Sequence, residues 1–230
     1  MKVRLYLISM ALLLGCAYAP AAVIYSGALV WDAGESQIKA VGDWQAEGLS
    51  FSWTVEELDS GFWSYSYTFS IPGKDISHLI VETSPSLSEI DGLTSSAELA
   101  TGGGQSYFFG TYSAVLQGSS NPQMPDEMYG VKFNLGESAT VLTVSFTTDR
   151  QPIWGDFYAK AGGNTSLSVA YNAGFTAGDM DPSIAAYPPG SPQVSDHILV
   201  PDTLPEPATM AVLLAGSGLL CLRRLRRGEA

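Results

Sequence analysis

Cysteine is nearly missing from this chain. Its two cysteines, Cys16 and Cys221, lie close to the two ends. The stretch between them has none, so no disulfide staples it and no thiolate-rich metal site forms within it. Basic charge is equally scarce. Between residues 20 and 205 only Lys39, Lys74, Lys132, Arg150 and Lys160 are basic, against twenty-one acidic residues, a balance of −16. Such a surface repels phosphate backbones, which excludes nucleic acid as a partner. Histidine occurs twice, as His78 and His197, and each stands beside a strand-like apolar run. A zinc site would need both histidines plus carboxylates. Neither HExxH nor GxSxG occurs, and nothing marks one serine as the nucleophile of a Ser-His-Asp triad.

What is present is strand-forming sequence. In "WSYSYTFSI", Trp63, Tyr65, Tyr67, Phe69 and Ile71 share one face, and Ser64, Ser66, Thr68 and Ser70 the other. That is a half-buried strand with rings inward and hydroxyls outward. Burying five such side chains is worth on the order of 8–15 kcal/mol gross, an upper bound. Further strands are expected at 22–31, 49–58, 77–83, 106–112, 129–135, 140–148, 153–160 and 166–175, with a last one beginning near 196. The stretch 86–100 invites a helical turn or two, capped by Ser86 or Ser88, although Gly92 argues against more. The spacing predicts an all-β fold, a single antiparallel β-sandwich, jelly-roll-like, over residues 22–200. Roughly 180 residues suffice to bury a core without staples.

The ends carry a different kind of information. Lys2 and Arg4 precede an apolar run from Leu5 to Gly15 and then small residues, the layout of a secretory signal peptide over residues 1–21. Cleavage fits after Ala19 or after Ala21. Leu13-Leu14-Gly15-Cys16 also resembles a lipobox, in which Cys16 would be lipidated. At the other end, Ala208 to Leu222 are fifteen uncharged residues, about 22 Å as a helix against a hydrocarbon core of about 30 Å. Arg223, Arg224, Arg226 and Arg227 follow and would hold that end in the cytoplasm. Pro205 and Pro207 keep "LPEP" extended and open to a protease.

Pro205-Glu206-Pro207, the apolar segment 208–222 and the basic cluster 223–227 together resemble the PEP-CTERM sorting signal of Gram-negative bacteria, here spanning 201–230. The resemblance implies export by the Sec machinery and transient anchoring in the inner membrane. It further implies cleavage by exosortase, a membrane cysteine transpeptidase-like enzyme, then residence at the cell surface or in an extracellular matrix rich in exopolysaccharide. The body is also similar to one recurrent group of PEP-CTERM proteins, through "WGDFYAKAGG" (154–163), "AYNAGF" (170–175) and "HILVPDTLPEP" (197–207). That likeness implies a route and a compartment, not a reaction.

The body offers few residues for chemistry. Asp156 sits between aromatics in "IWGDFYAK", suited to capping a turn or accepting main-chain N–H groups, with cation or ligand binding as the alternative. Trp44, in the loop-like "GDWQAEG", is the tryptophan expected to face solvent. Asp179 and Asp181 in "DMDP" suggest Ca²⁺, but two carboxylates fall short of its six to eight oxygens. The neighbouring pairs Glu56-Glu57 and Asp126-Glu127 point to opposite strand faces, which suits solvated surface rather than acid–base catalysis. No catalytic residue and no cofactor is therefore expected. The function expected is a non-catalytic surface or matrix protein, with a carbohydrate-binding module and a secreted glycoside hydrolase or lyase as alternatives.

Overall fold

The computed structural model describes residues 23–34, 36–114, 121–163, 167–178, 181–184, 188 and 196–203. The signal-peptide reading of residues 1–21 and the sorting-signal residues Pro205, Glu206, Pro207, Arg223, Arg224, Arg226 and Arg227 lie outside them. Among the described residues no helix is long and apolar enough to cross a membrane.

The described chain is nearly all β. Its strands are β1 (Ile24–Val30), β2 (Ile38–Val41), β3 (Ser50–Glu57), β4 (Trp63–Ser70), β5 (Ile76–Glu82), β6 (Asp91–Ser95) and β7 (Phe108–Tyr112). β8 (Met128–Asn134), β9 (Val141–Thr148), β10 (Gln151–Gly155), β11 (Phe157–Ala161), β12 (Val169–Asn172) and β13 (Ile198–Thr203) complete them. They form a five-stranded sheet in the order β1-β3-β4-β9-β6, a six-stranded sheet β2-β12-β11-β5-β8-β7, and a β10-β13 pair. Every pairing between these strands is antiparallel.

Alternation explains the first sheet. Along β4 every second residue is buried, as the sequence pattern requires. Its register sets ring against ring and aliphatic: Phe69 opposes Phe51 and Leu142, and Tyr65 opposes Val55 and Phe146. On the opposite face, hydroxyls bond across strands, Thr68 to Thr143 and Ser66 to Ser145, each at 2.9 Å. The two larger sheets share one core. Phe51 of β3 stacks on Phe157 of β11 with ring centroids 4.3 Å apart, and Phe146 of β9 meets Phe133 of β8 at 6.2 Å. A smaller cluster of Ile80, Met124, Met128, Tyr158, Val169 and Phe175 lies apart from that core. There the Tyr158 hydroxyl donates to the Pro122 carbonyl at 2.8 Å, tying β11 to the segment before β8.

Several expectations are corrected. The stretch 86–100 holds strand β6, not a helical turn. Gly92 takes φ +61° there, and the pairing with β9 shifts register between Asp91 and Thr94. "IKAV", for which no strand was expected, is a short strand, β2, paired with β12. The single strand expected at 153–160 is two strands in different sheets, parted at Asp156. "GGG" at 102–104 forms a tight turn: Gly102 and Gln105 exchange main-chain hydrogen bonds, and Gly103 and Gly104 supply the positive φ it needs. The last strand runs to Thr203, three residues past the boundary expected at 200.

Candidate functional site

Asp156 is where the chain changes sheets. Before it, β10 pairs with β13; after it, β11 pairs with β5 and β12. Glu82, the last residue of β5, holds the junction from both sides. The Asp156 N–H donates to Glu82 Oε2 at 2.8 Å, and the Glu82 N–H donates to the Asp156 carbonyl at 3.0 Å. Gly155 makes the approach feasible, because a Cβ there would stand 2.9 Å from Glu82 Oε2 and press on Val200.

The Asp156 side chain turns inward and is 5% exposed. A carboxylate so placed needs donors, and two other elements bring them. Asn172, fully buried at the end of β12, donates from Nδ2 to Asp156 Oδ1 at 2.5 Å and to the Asp196 carbonyl at 2.7 Å. Its Oδ1 accepts the Phe157 N–H at 2.9 Å. His197, 7% exposed and just ahead of β13, sets its Nδ1 3.2 Å from Asp156 Oδ1. Asp181 reaches the same nitrogen from the acidic loop, with Oδ1 at 3.5 Å and its side chain 30% exposed. The facing atoms of Asp156, Asp181 and His197 all lie within 4.8 Å of one another. Gly174 closes the far side of the ring: any Cβ there would collide with the His197 imidazole and stand 2.8 Å from the Asp196 carbonyl.

The Asp156 carboxylate takes its donor from a buried asparagine side chain, where a turn cap or main-chain N–H donors were expected. His197 is no plain strand-edge residue. Asp181 is turned to a histidine, while Asp179 lies outside the described residues. Asn172 escapes a reading by residue type, since "YNAG" has the composition of an ordinary turn. A different signal pointed to it. The segments 154–163, 170–175 and 197–207, quoted above for the group likeness, contribute Asp156, Asn172 and His197 in that order, and here they meet.

Trp44 is corrected outright. It closes a short 3₁₀ turn (Gly42–Trp44) after β2 and is fully buried. Its Nε1–H donates to the Lys74 carbonyl at 3.3 Å, and its ring stands edge-on to Phe69 at 5.5 Å. Polar flanking residues suggested solvent, but one large ring in a loop beside the sheets packs into the core they share. Trp53, Trp63 and Trp154 are buried too, and Trp31 is partly so. His78 is buried in β5, between β11 and β8.

No family model matches the chain, and no match is found among curated proteins or solved structures.

Proposed function

We propose that this is an exported, exosortase-processed protein of the cell surface or extracellular matrix. Its body is a β-sandwich of jelly-roll type that serves without catalysis in association with exopolysaccharide. The observation that carries the reading is the order of three parts at the C-terminus: Pro205-Glu206-Pro207, fifteen uncharged residues, then four arginines within five positions. Together with the signal-peptide layout at the start, that order carries the body across the membrane and leaves a short peg in it for removal. The two antiparallel sheets and their shared aromatic core supply such a body, and it folds around no disulfide.

The alternatives draw less support. A carbohydrate-binding module presents a flat, solvent-facing aromatic row, whereas Trp44, Trp53, Trp63 and Trp154 are buried. A glycosidase needs two carboxylates that reach a sugar from both sides. The carboxylate of Asp156 is buried beneath Asn172 and His197, out of reach of a pyranose ring.

The test is mass spectrometry of the mature protein from its host and from a strain lacking exosortase. The reading expects a host product without residues 223–227, and an unprocessed, membrane-retained form in the deletion strain. An intact C-terminus in the host, or the same product from both strains, refutes it.

A further inference from the structure

We propose that Asp156, Asp181 and His197 bind a divalent transition-metal cation of the Zn²⁺ type, which fastens the acidic loop to the sheet junction. The spacing of the donor atoms is the first argument. Ligands placed about 2.0–2.2 Å from a tetrahedral ion lie about 3.3–3.6 Å from one another. His197 Nδ1 stands 3.2 Å from Asp156 Oδ1 and 3.5 Å from Asp181 Oδ1, and all three donor atoms lie within 4.8 Å of one another, so two of the three spacings match. A dication among these atoms would take one ligand from each of the three side chains.

The surroundings have the features of a metal site's supporting shell. Asn172 donates to the Asp156 oxygen that faces the histidine, as groups around a metal commonly steady a ligating carboxylate. Gly174 and Asp196 fix the ring on its other side. Among the described residues no lysine or arginine ion-pairs with Asp156. The cluster holds one histidine, not the two that a zinc site was expected to need; one imidazole nitrogen with two carboxylates still suits Zn²⁺, whereas Ca²⁺ takes oxygen ligands in larger number. The three ligands come from the β10–β11 junction, the lead into β13 and the loop that carries Asp181. An ion here therefore links stretches of a chain that has no disulfide to link them.

The experiment uses the protein isolated from its host and stripped with EDTA, then titrated with ZnCl₂. Bound metal is read by elemental mass spectrometry and stability by thermal unfolding. The site predicts one zinc per chain. At a hundred times the dissociation constant it predicts a rise in Tm of about 5–10 °C, the equivalent of ~2.7 kcal/mol. Asp181→Asn changes the more exposed ligand and should weaken zinc binding at least tenfold, and His197→Gln should weaken it similarly. The proposal is overturned if zinc neither stays bound nor moves the Tm, or if Asp181→Asn binds it like the unaltered protein. A preference for Ca²⁺ over Zn²⁺ overturns the assignment of the ion.

Discussion

Asn172 grips Asp156 at the one residue between two strands of different sheets, donating from its side-chain amide to the carboxylate at 2.5 Å while accepting the next residue's N–H. One amide therefore fixes both the side chain and the direction in which the chain leaves the junction. Asn172→Ala leaves the Phe157 N–H without its acceptor and removes one donor each from the Asp156 carboxylate, which keeps His197, and from the Asp196 carbonyl, which keeps the Gly174 N–H. An unsatisfied buried group costs about 1–3 kcal/mol, so a loss of that size is expected in urea unfolding. Asn172→Asp should do worse at neutral pH, because it sets a second buried carboxylate against the first.

Gly27 lies under the Trp53 ring. The two are paired across β1 and β3, and a Cβ at Gly27 would overlap the indole, with Trp53 Cε2 at 2.7 Å. Gly27→Val must push the ring off the strand. Trp53 also meets Trp154 edge-on at 6.3 Å, so the disturbance travels toward β10. A loss of about 1–3 kcal/mol is expected, with a change in native tryptophan fluorescence. Unchanged fluorescence and stability would mean that the ring does not lie there.

Trp44→Ala separates a core role from a ligand-binding one. As a core residue it should cost about 3–5 kcal/mol in chemical unfolding. A platform residue would instead leave stability nearly intact and abolish retention on immobilised polysaccharide.

The parts of this fold that were legible in sequence are those where a single period runs uninterrupted. β4 shows its buried face in nine letters, and β3, β8 and β9 nearly so. "IWGDFYAK" misleads for the same reason: alternation continues through Asp156 while the hydrogen-bonding partners change, and periodicity cannot see partners. The visible clue was Gly155, a residue that lets backbones crowd. At the site, Asp156 stood out because a lone carboxylate sat among aromatics. Its companions did not, since Asn172 and His197 arrive through the long-range pairings β11–β12 and β10–β13, and Asp181 from outside the strands. Sequence spacing carries no trace of that convergence.

His78 should make stability depend on pH in a range where most proteins are indifferent. It is buried in β5, tilted over Tyr158 at 6.1 Å, and opposite Lys160 in β11 and Asn134 in β8. Burial first, then the charges of Lys132 and Lys160, lower its pKa to about 3, and Asn121 opposes this weakly. The folded chain thus keeps the imidazole neutral where the unfolded chain, with its ordinary histidine near 6.5, takes up a proton. Stability from this residue is complete above about pH 6.5 and drains away as the pH falls toward 3. The slope is at most about 1.4 kcal/mol per pH unit, so about 2 kcal/mol is lost between pH 6.5 and 5. The informative quantity is a difference between two proteins. Urea unfolding of the unaltered chain and of His78→Leu at pH 7.5, 6.5, 5.8 and 5.0 should give the unaltered chain the steeper decline. Parallel curves would show that His78 takes up its proton as readily folded as unfolded, and that the packing around β5 is looser than its burial requires.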